Sequence, residues 1–330
     1  MRIYEISIIL VPKFCYFCHM EHLGEVISLV VAFSWTITAL FANEASRRLG
    51  AMTVNVIRMV LATIFLAVIL WVTVGSPYPL YADGKAWFYL ALSALVGYVF
   101  GDFCLFNSYV VIGARFGQLF MTLAPPISAI TGWLLLGEVM SWKSWLAMMV
   151  TISGIALSIL SKGEDSKLKF SLPLKGVLLG IGAGMGQGVG LVLSKIGLEH
   201  YAAAIPSDAP EAMAGILPFA STMIRAMVGG VGFILWMGLQ KDLGKFKTVA
   251  KDRRGVTFAT LTTLFGPVIG VSLSLAAVQH TDTGIASTLM ALTPVLIIAP
   301  YAIIYKQKVK AKEILGVILS VIGVAMFFLL

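Results

Sequence analysis

Acidic and aromatic side chains inside a long apolar run are the residues of this sequence that could do chemistry. Asp102 lies in the run "ALVGYVFGDFCLFN" at 94–107, with Tyr98 one helical turn before it. An ionisable group in apolar surroundings is costly, so it marks a candidate site. The pair could hydrogen-bond a polar solute, and a buried carboxylate could also carry a proton. The alternatives are that Asp102 pairs with Arg115 or lies close enough to the membrane surface to stay hydrated.

Further polar and aromatic side chains share this setting, because each lies within a stretch that is apolar enough to cross a membrane. The candidate cavity residues are Trp35, Tyr98, Asp102, Asn107, Gln118, Thr122, Gln187, Ser272 and Ser287. Together they would hydrogen-bond a polar solute and stack against its apolar part. For each of them the alternative is a hydrogen bond between two helices, and the sequence leaves both open.

Three charged side chains are candidates for a gate or an anchor. Arg58 and Arg225 lie about two turns into their apolar runs, where a long side chain can reach the membrane surface and anchor there. Their functional alternatives are to pair with Glu138 or Asp282 as part of a gate, or to hold an anionic substrate. Glu138 follows Gly137 where the chain turns, which favours a loop anchor.

Membrane-spanning helices must position these side chains, because one soluble core cannot hold so much apolar sequence. The chain has 330 residues, of which 59% are hydrophobic and 12% charged, and its mean hydropathy is +0.93. A span needs about 20 mostly apolar residues. The candidate spans lie near 24–43, 51–74, 86–107, 114–136, 142–161, 174–197, 214–239, 255–278, 284–305 and 311–330.

The second half of the sequence repeats the first. Pro125 in "TLAPPISAI" aligns with Pro294 in "ALTPVLIIA", and this offset of 169 positions holds without a gap over two spans. Earlier in each half, Arg58 in "NVIRMV" matches Arg225 in "TMIRAM". Five spans in each copy force the two copies into opposite orientations, which is a recurrent architecture of secondary transporters.

The predicted fold class follows from this repeat. It is an all-α membrane protein with ten transmembrane helices arranged as two inverted five-helix repeats, at 22–161 and 174–330. Pro125 and Pro294 then interrupt helices at matching places, which indicates either the lining of a cavity or a packing kink. The run "GIGAGMGQGVG" at 180–190 lies inside a span, so its glycines favour close helix packing over nucleotide binding.

The block "LAPPISAITGWLLLGE" at 123–138, with the two arginines and the doubled five-span pattern, resembles EamA-type members of the drug/metabolite transporter superfamily. The second half departs from that pattern, since Lys306-Gln307 stand where Gly-Glu is expected. The resemblance implies a cavity between the halves and alternating access for a small polar metabolite, an amino acid or a relative of one. Export is the expected direction. An ion channel and a lipid-acting membrane enzyme are the alternatives.

The first 21 residues are interpreted as an N-terminal extension, disordered or a start-site artefact, because Met20 begins a second plausible start. They contain Cys15, Cys18 and His19 at the spacing of haem attachment, but no haem-binding domain follows. No cofactor and no metal site is therefore predicted, and the scattered histidines suggest no enzyme. Nucleic-acid binding would require a basic soluble face, and the sequence offers none.

Charge predicts the orientation and the surroundings of the chain. Basic residues gather in the loops near 44–50, 162–173, 240–254 and 306–312, and cytoplasmic loops collect Lys and Arg. This places both termini outside the cytoplasmic (inner) membrane and predicts contact with anionic lipid. A small-molecule substrate and membrane lipid are the expected partners, with proton coupling through Asp102 as one alternative. Monomer and homodimer remain equally open.

Overall fold

The structure is a computed structural model, and it describes residues 22–161, 173–241, 244, 246–249, 252–296, 298, 300 and 311–329. The predicted N-terminal extension lies outside the described residues, as do its cysteines. Lys306 and Gln307 do so too. Within the described part every regular element is helical. The all-α prediction is therefore confirmed for that part of the chain.

The helices follow most of the predicted apolar runs, but the predicted boundary between the third and fourth spans is wrong, because helix Phe103–Met121 crosses the gap at 108–113. In chain order they are α1 (Leu23–Leu49), α2 (Ala51–Val74), α3 (Gly84–Ala94), α4 (Phe103–Met121), α5 (Ala124–Leu136), α6 (Trp142–Ser161), α7 (Leu174–Ala204), α8 (Ala212–Leu239), α9 (Phe246–Val249), α10 (Arg253–Thr263), α11 (Ser272–Val278), α12 (Thr283–Met290), α13 (Thr293–Leu296) and α14 (Ala311–Leu329). Two π-helical segments, Leu95–Asp102 and Leu264–Val271, continue α3 into α4 and α10 into α11.

Nine helices among the described residues are long and apolar enough to cross a membrane, and Thr283–Leu296 is a shorter apolar helix at the predicted ninth span. Large apolar side chains such as Trp71, Leu134 and Leu235 are exposed on the outer surface. Exposed apolar residues in such number are typical of a surface that faces lipid. The coarse membrane architecture predicted from hydropathy is thus confirmed.

Helix α7 packs closely against two stretches of chain, 97–112 and 120–127. Its contacts, in the order of α7, are Gly176 with Ile112, Gly180 with Phe120, Gly188 with Ile127 and Gly190 with Gly97. The partner numbers fall along α7 over 97–112 and rise along it over 120–127. The glycines of 180–190 permit this close approach, because a β-carbon there would meet neighbouring backbone or side-chain atoms.

Helices α6 and α14 cross each other in an equally tight contact. Gly154 lies against Ser320, while Gly323 lies against Thr151. The hydroxyl of Ser320 also lies 3.4 Å from the carbonyl oxygen of Thr151, to which it donates. Because the sequence numbers rise along one helix as they fall along the other, the two helices are antiparallel.

Candidate functional site

The two π-helical segments lie at equivalent places in the two sequence repeats. Leu95–Asp102 and Leu264–Val271 are separated by the same offset that aligns the prolines. A π-helical turn leaves a backbone carbonyl without its usual partner, and such turns are frequent at functional sites. Side chains from the first helix of each half donate to carbonyl groups of these segments. The Ser34 hydroxyl donates to Phe265 O at 2.6 Å, and Gln187 Nε2 donates to Gly97 O at 3.1 Å.

The two predicted arginines each face a glycine of the opposite half. Arg225 on α8 approaches Gly97, and Arg58 on α2 approaches Gly266. A β-carbon added at these glycines would stand 3.5 Å from Arg225 Nη2 and 3.4 Å from Arg58 Nη2. Each guanidinium group therefore lies within contact distance of a glycine position in the opposite half.

Tyr98, Asp102 and Gln187 join these arginines in one buried group, the arginine cluster. The Arg225 guanidinium stands 4.6 Å from the centre of the Tyr98 ring, an arrangement that a cation–π interaction stabilises. Gln187 Nε2 donates to Asp102 Oδ1 at 2.9 Å. Both arginines interact electrostatically with the Asp102 carboxylate. The structure therefore brings together five residues that the sequence singled out.

Several donors of this cluster have no hydrogen-bond partner among the described residues. They are the Nε atoms of Arg58 and Arg225 and the hydroxyl of Tyr98. Arg58 does donate through Nη1 to Asn55 Oδ1 at 2.8 Å, but the amide nitrogen of Asn55 is itself unpartnered. Buried polar groups are nearly always paired, so this number of free donors in one place suggests a ligand site.

A second polar group ties the two halves together at the start of α12, and we call it the Glu138 tie. Lys195 Nζ donates to Glu138 Oε1 at 2.6 Å. The other carboxylate oxygen accepts from the Thr283 backbone N–H at 2.9 Å and from its hydroxyl at 2.6 Å. Glu138 thus caps α12, because the first N–H groups of a helix lack partners and attract negative charge.

Other acids surround the tie. The Thr281 hydroxyl donates to Glu25 Oε1 at 2.8 Å, and Lys195 Nζ also donates to Thr281 O at 3.3 Å. Burial raises the pKa of the Asp282 carboxyl above its usual value, and the neighbouring charge of Glu138 raises it further. One lysine thus faces three acids at this end of the molecule.

The structure corrects the proposed pairing of the arginines. Glu138 pairs with Lys195 and not with Arg58 or Arg225, because Lys195 and Thr283 occupy both carboxylate oxygens. Lys195 and Asn55 were not among the site residues predicted from the sequence. A lysine within the apolar stretch 174–197 is the signal that could have drawn attention to the first.

The remaining candidates lie at varied places. Asn107 and Thr122 donate to Phe103 O and Leu119 O in their own helices, so neither is bonded to the arginine cluster. Ser272 and Ser287 are buried, and the hydroxyl of Ser272 is unpartnered among the described residues. Trp35 lies against Gly270 of the second π-helical segment. The side chain of Gln118 lies outside the described residues.

Pro125 and Pro294 each follow a short break in the helix. Thr122 and Leu123 separate α4 from α5, and two residues likewise separate α12 from α13. Each proline is the second residue of the helix that follows. A proline is tolerated there because the N–H that it lacks would have no partner in the first turn.

Comparison with known proteins identifies relatives of the chain. The model of the EamA-like transporter family matches residues 22–160 and 208–329. Twenty-eight chains of solved structures match significantly. One of them, a crystal structure titled only as that of a protein, shares 14% sequence identity with a TM-score of 0.69, covering 93% of this chain and 96% of its own. That likeness shows a shared fold. No curated protein matches significantly.

Proposed function

We propose a transport function for this chain, which belongs to the EamA-like transporter family. It is a secondary transporter that moves a small polar organic metabolite across the cytoplasmic membrane by alternating access. Export is the proposed direction, and an amino acid or a related metabolite is the proposed cargo. Members of this family are transporters and are normally not enzymes. Among the described residues, no group of three or more His, Cys, Asp or Glu side chains could hold a metal ion.

Ten spans in two inverted five-helix repeats are part of the proposal. Its support is a set of reciprocal contacts between the halves. Where one residue contacts a residue of the other half, the equivalents of these two residues in the sequence repeat also contact each other. Gly154 aligns with Gly323, and Thr151 aligns with Ser320; the contacts are Gly154 with Ser320 and Gly323 with Thr151. A twofold axis between antiparallel helices produces this exchange, as in an isologous interface. The contacts of the arginines with the opposite glycines follow the same rule.

The arginine cluster is the observation that carries the proposal. Its five side chains come from both halves and lie where the two π-helical segments meet the first helix of each repeat. Arg225, Tyr98 and Asp102 are 5%, 6% and 8% exposed. An alternating-access carrier has two states, each open to one side of the membrane. Between them it passes through a state in which its polar site is closed to both sides.

Flux measurements in proteoliposomes test this function. Vesicles that contain the purified protein are loaded with an extract of polar metabolites, and the solutes that leave are identified by mass spectrometry against protein-free vesicles. A carrier releases particular solutes at a saturable rate, and an excess of the same solute outside accelerates exchange. Flux that rises linearly with concentration would indicate a channel, and chemical conversion of lipid would indicate an enzyme. Either result would refute the proposal.

We further propose that the basic loops face the cytoplasm, which places both termini outside. The support is the charge asymmetry of the loops alone. Reporter fusions to the C-terminus, one active only in the cytoplasm and one only outside it, give opposite signals for the two orientations. An active cytoplasmic reporter would overturn the assignment.

A further inference from the structure

We propose that the arginine cluster binds a carboxylate, and that the transported solute is an organic acid with one net negative charge, so that among amino acids only an acidic one fits. The transport part of this statement rests on the proposed function. The binding part does not, because it follows from side chains that already lie together. Three features of the cluster lead to it: burial, unpartnered donors and charge.

Burial and missing partners point to a ligand at Arg225. Its residue is 5% exposed, its guanidinium lies over the Tyr98 ring, and its Nε atom has no hydrogen-bond partner among the described residues. The Tyr98 hydroxyl likewise has no partner in the part of the chain that the structure describes. A buried donor without an acceptor costs about 1–3 kcal/mol and a charged one more. An acceptor that enters from the transported solute would remove that cost.

The charge of the cluster selects an anion. Ion pairs in the described part of the chain join Arg48 to Glu44 and Asp252, and Lys195 to Glu138, so neither Arg58 nor Arg225 has a carboxylate within 4.0 Å. Asp102 therefore offsets one of the two positive charges from a greater distance. One positive charge is left uncompensated in a buried site, where such a charge is expensive. A monoanion neutralises it, whereas an amine adds to it.

The chemistry of the donors favours a carboxylate among monoanions. Planar guanidinium groups bind carboxylates through paired, charge-assisted N–H···O bonds. The two arginines come from opposite halves, and each lies beside a glycine of the half opposite to its own. A carboxylate has two oxygens, so it can accept from Arg58 and Arg225 together. Binding of the substrate would then link the two halves.

Three matched sets of probes test the inference with the purified full-length protein in detergent. Each set contains a carboxylate, the corresponding amide and the corresponding amine, built on acetate, hexanoate and 3-phenylpropionate. Affinity is measured by titration at constant pH and ionic strength. We expect at least one carboxylate to bind, and its amide and amine to bind at least tenfold more weakly. Tighter binding by an amide or an amine would overturn the inference, as would binding by no carboxylate.

Variants separate the site from general electrostatics. Arg225→Gln should weaken carboxylate binding at least tenfold, whereas Arg253→Gln, an exposed arginine at the start of α10, should leave it unchanged. If Arg225→Gln fails to fold, Arg58→Gln replaces it with the same expectation. Asp102→Asn removes the offsetting negative charge and should tighten carboxylate binding at least threefold. A purely structural role for Asp102 would weaken binding instead, and that result would count against the charge argument.

Two further outcomes distinguish this inference from the proposed function. A carboxylate that binds through Arg225 but does not cross proteoliposomes leaves the site intact and refutes transport. Saturable flux of neutral or cationic solutes only, insensitive to Arg225→Gln, supports transport and refutes the carboxylate. A phosphate monoester such as phenyl phosphate, which carries close to two negative charges at neutral pH, should bind more weakly than the carboxylate. Tighter binding by the phosphate would overturn the assignment of a single negative charge.

Discussion

The Glu138 tie predicts a strong thermodynamic coupling between the two halves of the chain. Its ion pair joins Lys195 of α7 to Glu138, which follows α5, and the side chains are 14% and 10% exposed. Lys195→Met removes the charge while keeping most of the apolar stem. Glu138→Gln keeps an oxygen that can still accept from Thr283. Together with the unchanged protein, the two single variants and the double variant form a double-mutant cycle, which measures the coupling energy of the pair.

The expected magnitude follows from the geometry. Two unit charges separated by the 2.6 Å of this pair attract by roughly 6 kcal/mol at an effective dielectric constant of about 20. Desolvation of both groups offsets much of this, and removing one partner of a buried pair costs about 3–5 kcal/mol. Lys195→Met should lower the free energy of unfolding by about 3 kcal/mol, near the lower end of that range. The reason is that Thr283 still donates twice to Glu138. The double variant should lose less free energy of unfolding than the two single variants lose in sum, and the difference should be about 2 kcal/mol or more.

Reversible unfolding in mixed micelles, followed by tryptophan fluorescence, gives the free energy of unfolding of each variant. The matched control is Lys175→Met, the same change at an exposed position of the same helix, which should shift that free energy by no more than about 0.5 kcal/mol. A coupling energy below about 0.5 kcal/mol would refute the reasoning. Equal effects of Lys195→Met and Lys175→Met would do the same.

Three more predictions concern local packing and bonding, and the same unfolding measurement checks each. Gly190→Ala should destabilise the protein by about 1–3 kcal/mol, since its new β-carbon would stand 2.8 Å from Gly97 Cα. The control Gly215→Ala, whose β-carbon would meet no described atom within 4 Å, should not. Equal effects of the two changes would contradict this prediction. Tyr201→Phe should cost about 1 kcal/mol through loss of the 2.6 Å bond to the Leu80 carbonyl, and a neutral result would discount that bond. Asp83→Ala should cost about 1 kcal/mol by uncapping α3, and Asp83→Asn less; the reverse order would count against capping.

Much of the site could be anticipated from residue type and span membership. A charged or amide side chain in hydrocarbon must find a partner within the protein, so Arg58, Arg225, Asp102 and Gln187 had to lie in the interior or at the membrane surface. Their partners could not be read from the sequence. Arg58 lies beside Gly266 and Gln187 beside Gly97, residues far apart along the chain, and such contacts depend on how the helices cross.

The sequence by itself determined the spans, their duplication and the polar residues inside them. It could do so because every membrane helix satisfies its own backbone, so apolar composition alone predicts the element. Only the tertiary structure decided that Glu138 meets Lys195, and that Tyr98, in the first π-helical segment, lies under the guanidinium of Arg225. Those outcomes depend on distances of a few ångströms between elements of opposite halves. No single helix contains that information.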